Sequence, residues 1–355
     1  MGRLADRHGR KSALLLSVSL MCLGSLTIAC TPGYAAIGHW APALLLFARL
    51  LQGFSIGGEY GSSATYLSEM ATPDRRGYFS SFQYVTIVLG QLLALTLLMA
   101  LQKWFLTGEE LHQWGWRIPF IFGGMLSVVA LGLRGRMAET NAFVEQHAYI
   151  KGQATLADLR KHPKAVMTVV ALTAGGTVSY YTLTVYMQKF LVNTTGLSKD
   201  DATLICLFAL FLFMLAQPVF GLISDRVGRR FMLIGFGLGA SIFTVPIFSL
   251  LSQPQSFLSA LGFYCFALLI LSGYSSVNAI VKAELFPVHI RALGVGFPYA
   301  LTVSIFGGTA EYLALWLKSI GHAEWYAYYV SACAALSLIV SIMMKEPSKV
   351  SSLDR

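Results

Sequence analysis

Apolar residues dominate ten long stretches of the chain, and short polar segments separate these stretches. Each stretch is close to or above the roughly 20 helical residues that cross a hydrocarbon core about 30 Å thick. The pattern therefore predicts an all-α polytopic membrane protein, whose spans fall at 12–31, 42–69, 78–101, 116–134, 165–188, 202–222, 231–251, 257–285, 293–316 and 325–344.

Composition and charge agree with a membrane protein. The chain is 55% hydrophobic and only 12% charged, which exceeds the apolar content that a soluble domain usually hides. Of its 26 Lys and Arg residues, 19 lie in the N-terminal segment, in every second loop and in the C-terminal tail, whereas five lie in the opposite loops. This asymmetry predicts a plasma or inner membrane location with both termini in the cytoplasm. No basic patch with interleaved aromatic residues occurs, so the net charge of +9 indicates contact with the lipid bilayer and not with nucleic acid.

Two sequence elements occur twice, in the same order. "GRLADRHGRK" at Gly2–Lys11 recurs as "GLISDRVGRR" at Gly221–Arg230, and "EMATPDRR" at Glu69–Arg76 recurs as "ELFPVHIR" at Glu284–Arg291. The repetition predicts two related halves. Six spans separate the copies of the first element and four follow its second copy, so we expect a twelve-helix protein of which ten helices are present here.

The count of spans also predicts how the chain divides into domains. We predict an incomplete N-terminal bundle at 1–134, a cytoplasmic linker at 135–164, and a C-terminal bundle with a short tail at 165–355.

The repeated elements also predict a charge network that closes the cytoplasmic side. Glycines permit a tight turn between helices, and an aspartate at a helix end can pair with arginines of neighbouring helices. The alternative is that the arginines only anchor the helices to lipid headgroups. The predicted gate residues are Gly2, Asp6, Arg7, Gly9, Arg10, Glu69, Arg76, Asp225, Arg226, Gly228, Arg229, Glu284 and Arg291.

These residues resemble the major facilitator superfamily, whose signature is G-x-x-x-D-R/K-x-G-R-K/R. Three further stretches resemble its metabolite:proton symporter branch: "RLLQGFSIGGEYG" at Arg49–Gly61, "WGWRIPF" at Trp114–Phe120 and "FGGTAEYLAL" at Phe306–Leu315. The resemblance implies two six-helix bundles around a central cavity and transport by alternating access. The spans would then be helices three to twelve of that fold.

The resemblance further implies the function. We expect proton-coupled symport of a small carboxylate, alpha-ketoglutarate in the first place, by a monomer that uses the proton gradient and no cofactor. The alternatives are a permease for another organic acid or for an osmolyte such as proline or betaine, or an inactive fragment that lacks two helices. An enzyme is not expected, because the loops are short and hold no catalytic constellation.

Two charged residues inside the second span are candidates for transport chemistry. Arg49 has a planar guanidinium that suits a carboxylate of the substrate or of a nearby acidic residue. Ten residues of helix separate it from Glu59 by about 15 Å, so each needs its own partner on another helix or in a water-filled cavity. If Glu59 is buried, its neutral form is favoured, which makes it a proton-coupling candidate; the alternative is a permanently protonated structural residue.

A dicarboxylate needs a second strong contact. Lys189 is a candidate, with Tyr181 eight residues earlier and nearly aligned on a helix, although Lys189 could equally anchor to headgroups. The remaining polar residues within spans can be substrate contacts or interhelical hydrogen bonds; they are Gln83, Tyr84 and Asn278. Glu311 is a second proton-coupling candidate, because a carboxylate is more costly to bury.

Overall fold

The computed structural model describes residues 2–144 and 155–349, and within them all regular secondary structure is helical. Ten segments are long and apolar enough to cross a membrane. Every predicted span lies inside one of them or extends one residue beyond its end, which confirms the prediction of ten spans. In chain order they are α1 Arg10–Cys30, α2 Trp40–Met70, α3 Pro73–Phe105, α4 Gly115–Gly135, α5 Pro163–Thr194, α6 Lys199–Val227, α7 Arg229–Leu251, α8 Phe257–Glu284, α9 Val288–Ser319 and α10 Trp325–Lys349.

Several of these helices are irregular. A π-helical turn occurs at Leu101–Phe105 in α3, at Thr182–Tyr186 in α5 and at Val303–Gly307 in α9. In α8 the first helical piece ends at Ser275 and the second begins at Asn278. Such interruptions change which side chains share a face, so they decide where the polar residues of these helices point.

The contacts group the residues into two compact units. Unit 1 comprises 1–70, 93–158 and 288–297, and in it α1 packs against α2 and α4. Unit 2 comprises 71–92, 159–287 and 298–355, and in it α10 packs against α5 and α7 while α8 packs against α6 and α7.

The predicted division at 1–134, 135–164 and 165–355 follows the sequence repeat and stays a prediction. Its linker includes 145–154, which lie outside the described residues. The described end of the linker contains a short helix, Leu156–Leu159.

Candidate functional site

A buried charge network occupies one end of unit 1. The Arg10 side chain is 1% exposed and donates to Glu69 through Nε at 3.2 Å and Nη2 at 3.0 Å. It also donates to the backbone carbonyl oxygen of Val288 at 3.1 Å. Arg291 at the start of α9 donates to the same Glu69 carboxylate at 2.8 Å. The structure thus brings together three of the predicted gate residues from α1, α2 and α9.

Asp6 attaches the first repeated element to the beginning of α9. Its carboxylate accepts the backbone N–H groups of Ala292 at 3.1 Å and Leu293 at 2.8 Å, and it lies 3.6 Å from Arg10. The first N–H groups of a helix lack partners within the helix, so a carboxylate there is favourable. Burial nevertheless raises the pKa of Asp6 to about 7, because loss of solvent outweighs the Arg10 guanidinium and the two N–H donors.

Unit 2 contains the matching network. Asp225 accepts the backbone N–H groups of Gly77 at 2.7 Å and Tyr78 at 2.9 Å, in the first turn of the regular helix of α3. Arg229 lies 3.5 Å from Asp225 and 3.4 Å from Glu284. Both copies of the repeat therefore make the same contacts, in which an aspartate caps a helix and an arginine joins it to a glutamate.

Two acidic residues that the sequence analysis missed complete these networks. Glu139 accepts the backbone N–H groups of Arg10 at 3.0 Å and Lys11 at 3.2 Å. Glu346 accepts those of Arg229 at 2.9 Å and Arg230 at 3.1 Å. Each is the first acidic residue after the last apolar stretch of its half, and this regularity is the signal that could have identified the pair.

The structure explains why three of the predicted gate positions are occupied by glycine. Gly9 and Gly228 immediately precede α1 and α7 with φ values of 97° and 98°, which residues with a Cβ rarely adopt. A Cβ on Gly9 would also lie 2.1 Å from the Glu139 carboxylate. Gly2 approaches α9 so closely that a Cβ would lie 2.8 Å from the Ala292 carbonyl oxygen.

The remaining predicted gate arginines are two exposed residues and one buried residue. Arg7 and Arg226 are exposed, and in the described part of the chain neither makes an ion pair or side-chain hydrogen bond with the networks. Arg76 is buried at the start of the regular helix of α3. The described contacts include Asp6, Arg10, Glu69 and Arg291 in unit 1, and Asp225, Arg229 and Glu284 in unit 2.

Arg49 has no carboxylate partner among residues 2–144 and 155–349. Its Nη1 donates to Gln52 on the same helix at 3.1 Å, and its guanidinium carbon lies 5.7 Å from the centre of the Phe120 ring on α4. Gln52 in turn donates to Ser25 on α1 at 3.1 Å. The side chain is exposed, so the amide and the ring orient a guanidinium whose remaining N–H groups can meet a ligand.

Glu59 lies beside the end of α4. The structure shows an ion pair between Glu59 and Arg134 of α4 at 2.5 Å, and the Glu59 side chain is 29% exposed and not fully buried. Arg134 also donates to the carbonyl oxygen of Leu14. This ion pair agrees with the expectation that Glu59 finds a partner on another helix, because α4 ends beside it and contributes a guanidinium.

Lys189 and Glu311, which the sequence suggested for separate roles, form an ion pair with each other between α5 and α9. Both are accessible, with Lys189 more exposed than Glu311. The π-helical turn Thr182–Tyr186 lies between Tyr181 and Lys189, so their alignment is not that of a regular α-helix. Tyr181 packs instead against Gly307, where a Cβ would lie 2.8 Å from its ring.

The predicted polar residues of α3 and α8 also meet. Asn278 Nδ2 donates to the Tyr84 hydroxyl at 3.0 Å, and both residues are buried. The Tyr84 ring is 5.4 Å from that of Tyr180, whose hydroxyl donates to Gln91 at 3.3 Å. Gln83 is buried beside Tyr84 on α3. These contacts form a polar row inside unit 2.

Comparisons with known proteins place this geometry in a family. A family model described as Major Facilitator Superfamily matches residues 1–309 and, in a second match, residues 178–352. The chain belongs to the major facilitator superfamily. It is 51% identical to the alpha-ketoglutarate permease of Escherichia coli (strain K12), over 98% of this chain and 80% of that protein. It is 31% identical to the citrate-proton symporter of Klebsiella pneumoniae, over 99% of this chain and 79% of that one.

A solved structure of the same superfamily shares the fold. The proton:xylose symporter XylE superposes with a TM-score of 0.75 at 17% identity, covering 98% of this chain and 84% of that one. This chain is therefore a multi-pass membrane protein of a transporter superfamily and not an enzyme.

Proposed function

We propose that this chain is a proton-coupled symporter for alpha-ketoglutarate that works by alternating access. The assignment of the substrate rests on the 51% identity to a protein named alpha-ketoglutarate permease. We further propose that it acts as a monomer in the inner membrane, with both termini in the cytoplasm, as the distribution of Lys and Arg predicts.

Two carboxylates on the substrate call for two strong donors. Arg49 is one, because its exposed guanidinium is oriented by Gln52 and Phe120 but has no acidic neighbour in the described part of the chain. A guanidinium can bind a carboxylate with two parallel hydrogen bonds, so it gives directional as well as electrostatic recognition.

The ion pair between Lys189 and Glu311 offers a route for proton coupling. When Glu311 takes up a proton, it no longer neutralises Lys189, and the ammonium becomes available to a substrate carboxylate. Loss of that proton restores the ion pair between Glu311 and Lys189 and favours release of the substrate. Glu59 is the second candidate, since protonation would release Arg134 in the same manner.

The two charge networks support a gate. Asp6 and Asp225 each hold a helix start through two backbone N–H groups, so separating these elements breaks several hydrogen bonds at once. Such bonds can be exchanged for water when the networks separate. We propose that both networks face the cytoplasm and hold the cytoplasmic side of the transporter closed during part of the transport cycle.

The function is tested by uptake of radiolabelled alpha-ketoglutarate into proteoliposomes made with this chain. An inward-directed pH gradient should drive accumulation, and a protonophore should abolish it. Glu311→Gln should retain exchange of internal for external substrate while losing accumulation, because only the coupled step needs the proton. Glu324→Gln, an exposed acid in the loop before α10, is the matched control and should behave as wild type.

Three results would contradict the proposal. Uptake that a protonophore leaves unchanged would refute proton coupling. Uptake of radiolabelled citrate or betaine, with none of radiolabelled alpha-ketoglutarate, would favour another permease of the same superfamily. Absence of uptake from this chain, with uptake by the E. coli permease under identical conditions, would favour the inactive fragment.

A further inference from the structure

Gln52 is a buried glutamine of α2 whose side-chain amide connects Arg49 to α1. Its Oε1 accepts a hydrogen bond from Nη1 of Arg49 at 3.1 Å, and its Nε2 donates to the Ser25 hydroxyl at 3.1 Å. Only 9% of Gln52 and 7% of Ser25 are exposed, whereas Arg49 is an exposed residue. A guanidinium has donors only, so the amide oxygen must face Arg49 and the amide nitrogen must face Ser25. These contacts give the amide a single orientation.

Close packing of α1 on α2 confines the Gln52 side chain further. Gly24 lies opposite Gln52, and a Cβ there would be 2.8 Å from Cγ of Gln52 and 3.0 Å from the carbonyl oxygen of Ala48. Because residue 24 has no side chain, the stem of Gln52 can occupy this space. A side chain that is already ordered loses little further freedom when a ligand binds next to it. Gln52 is therefore suited to hold Arg49 in one position.

Both groups that hold Arg49 in the described part of the chain are uncharged. Gln52 accepts one N–H group of the guanidinium through a neutral oxygen, and the Phe120 ring lies 5.7 Å from the guanidinium carbon. An amide oxygen and a ring orient the cation but leave its charge for a ligand. A carboxylate at residue 52 would instead form an ion pair with Arg49 and compete with an anionic ligand for the same N–H groups.

We propose that Gln52 is a positioning residue that makes Arg49 a site for a carboxylate. Its neutral oxygen fixes the guanidinium without cancelling the positive charge, and Ser25 keeps that oxygen directed at Arg49. This inference rests on the proposed function, in which Arg49 binds one carboxylate of alpha-ketoglutarate. Gln52 and Ser25 act on the substrate only through Arg49.

The test compares two substitutions of Gln52 by calorimetric binding of alpha-ketoglutarate to the detergent-solubilised chain. Gln52→Glu keeps the shape of the side chain, and Ser25 can donate its hydroxyl to the new carboxylate, but this carboxylate neutralises Arg49 and repels the substrate. It should weaken binding about a hundredfold. Gln52→Met keeps the length of the side chain and leaves the guanidinium charged but unheld, so it should weaken binding only about fivefold.

A purely structural role predicts the opposite order. If Gln52 only joined α1 to α2, Gln52→Glu would keep the hydrogen bond to Ser25 and bind nearly as wild type. Gln52→Met would then be the more harmful change, because it leaves the buried Ser25 hydroxyl without this partner. Gln102→Glu, an exposed glutamine in the π-helical turn of α3, adds the same charge elsewhere in unit 1 and should keep wild-type affinity. Size-exclusion profiles and thermal unfolding verify that each variant is intact.

A double-mutant cycle tests the role assigned to Ser25. Ser25→Ala removes the acceptor that orients the amide and should weaken binding about threefold. The double variant with Gln52→Met should bind no more weakly than Gln52→Met alone, because Ser25 acts through Gln52. This cycle decides the matter if Gln52→Glu does not fold.

Two results would overturn the inference. One is an affinity of Gln52→Glu that equals or exceeds that of Gln52→Met. The other is full additivity of Ser25→Ala and Gln52→Met. Either result, with wild-type binding intact, refutes the inference and leaves the proposed function standing. Failure of the wild-type chain to bind alpha-ketoglutarate would instead refute the proposed function, and the inference with it, before any variant is compared.

Discussion

Charged side chains within the helices were recognisable from the sequence because burying a charge in hydrocarbon costs several kcal/mol. Their partners were not recognisable. Glu59 pairs with Arg134, seventy-five positions further along the chain, and Lys189 pairs with Glu311, one hundred and twenty-two positions further. Which residues meet depends on which helices are neighbours and at what depth each side chain lies, and neither is encoded in local spacing.

Arg49→Lys should reduce alpha-ketoglutarate uptake at least tenfold at limiting substrate. A lysine keeps the charge, but its ammonium cannot offer two parallel N–H groups to a carboxylate or stack as a plane on Phe120. Initial uptake rates in proteoliposomes measure the effect. Arg75→Lys, in the exposed first turn of α3, is the control and should transport normally. Near-normal uptake by Arg49→Lys would show that two parallel N–H groups at this position are not needed for transport.

At the scale of helices, the most regular feature is the pairing of carboxylates with helix beginnings. Asp6 caps α9, Asp225 caps the regular helix of α3, and Glu139 and Glu346 cap α1 and α7. The N–H groups of a first helical turn have no acceptor within the helix, so they attract anions. The repeated motif predicted that the two aspartates are at helix ends. It did not predict which helix each one caps.

The Asp6 contact should weaken as the pH rises. Its pKa in the folded protein, about 7, lies above its ordinary value of 3.8, because the buried site disfavours the anion. The stability that Asp6 contributes is therefore greatest below about pH 4, falls as the pH rises from about 4 to about 7, and stays constant above about 7. Hydrogen exchange at Ala292 and Leu293, measured from about pH 5.5 to about pH 8.5 and corrected for the intrinsic chemical rate, should show protection that falls up to about pH 7 and is constant above it.

Two variants check this dependence on Asp6. Asp6→Asn cannot ionise, so its protection at Ala292 and Leu293 should not vary over that range. Asp225→Asn changes the corresponding residue of unit 2 and should keep the wild-type pH dependence at α9. A pH dependence that persists in Asp6→Asn would assign the effect to another group.

For the molecule as a whole, the sequence repeat corresponds to two similar sets of side-chain contacts. Each half supplies an aspartate, an arginine and two glutamates, and these residues build two networks with the same contacts. The contact units nevertheless group 71–92 with unit 2 and 288–297 with unit 1. These two segments contain the helix beginnings that Asp225 and Asp6 hold.

The proposed orientation predicts which loops face the cytoplasm. In a variant whose five cysteines are replaced by serine, Asp74→Cys lies in the exposed first turn of α3, and Glu109→Cys lies between α3 and α4. In intact cells a membrane-impermeant maleimide should label Glu109→Cys at once and Asp74→Cys only after permeabilisation. Labelling in the opposite order would place the charge networks on the outer side.

The sequence by itself determined the ten spans, the two related halves and the identity of most charged residues in the networks. These properties follow from apolar length, from internal repetition and from the cost of charge in a membrane, all of which can be read from the order of residues. Tertiary structure alone decided the partners, because contacts such as Lys189 with Glu311 or Lys282 with Tyr299 join separate helices. It also placed the π-helical turns and the break in α8, since these depend on packing against neighbouring helices.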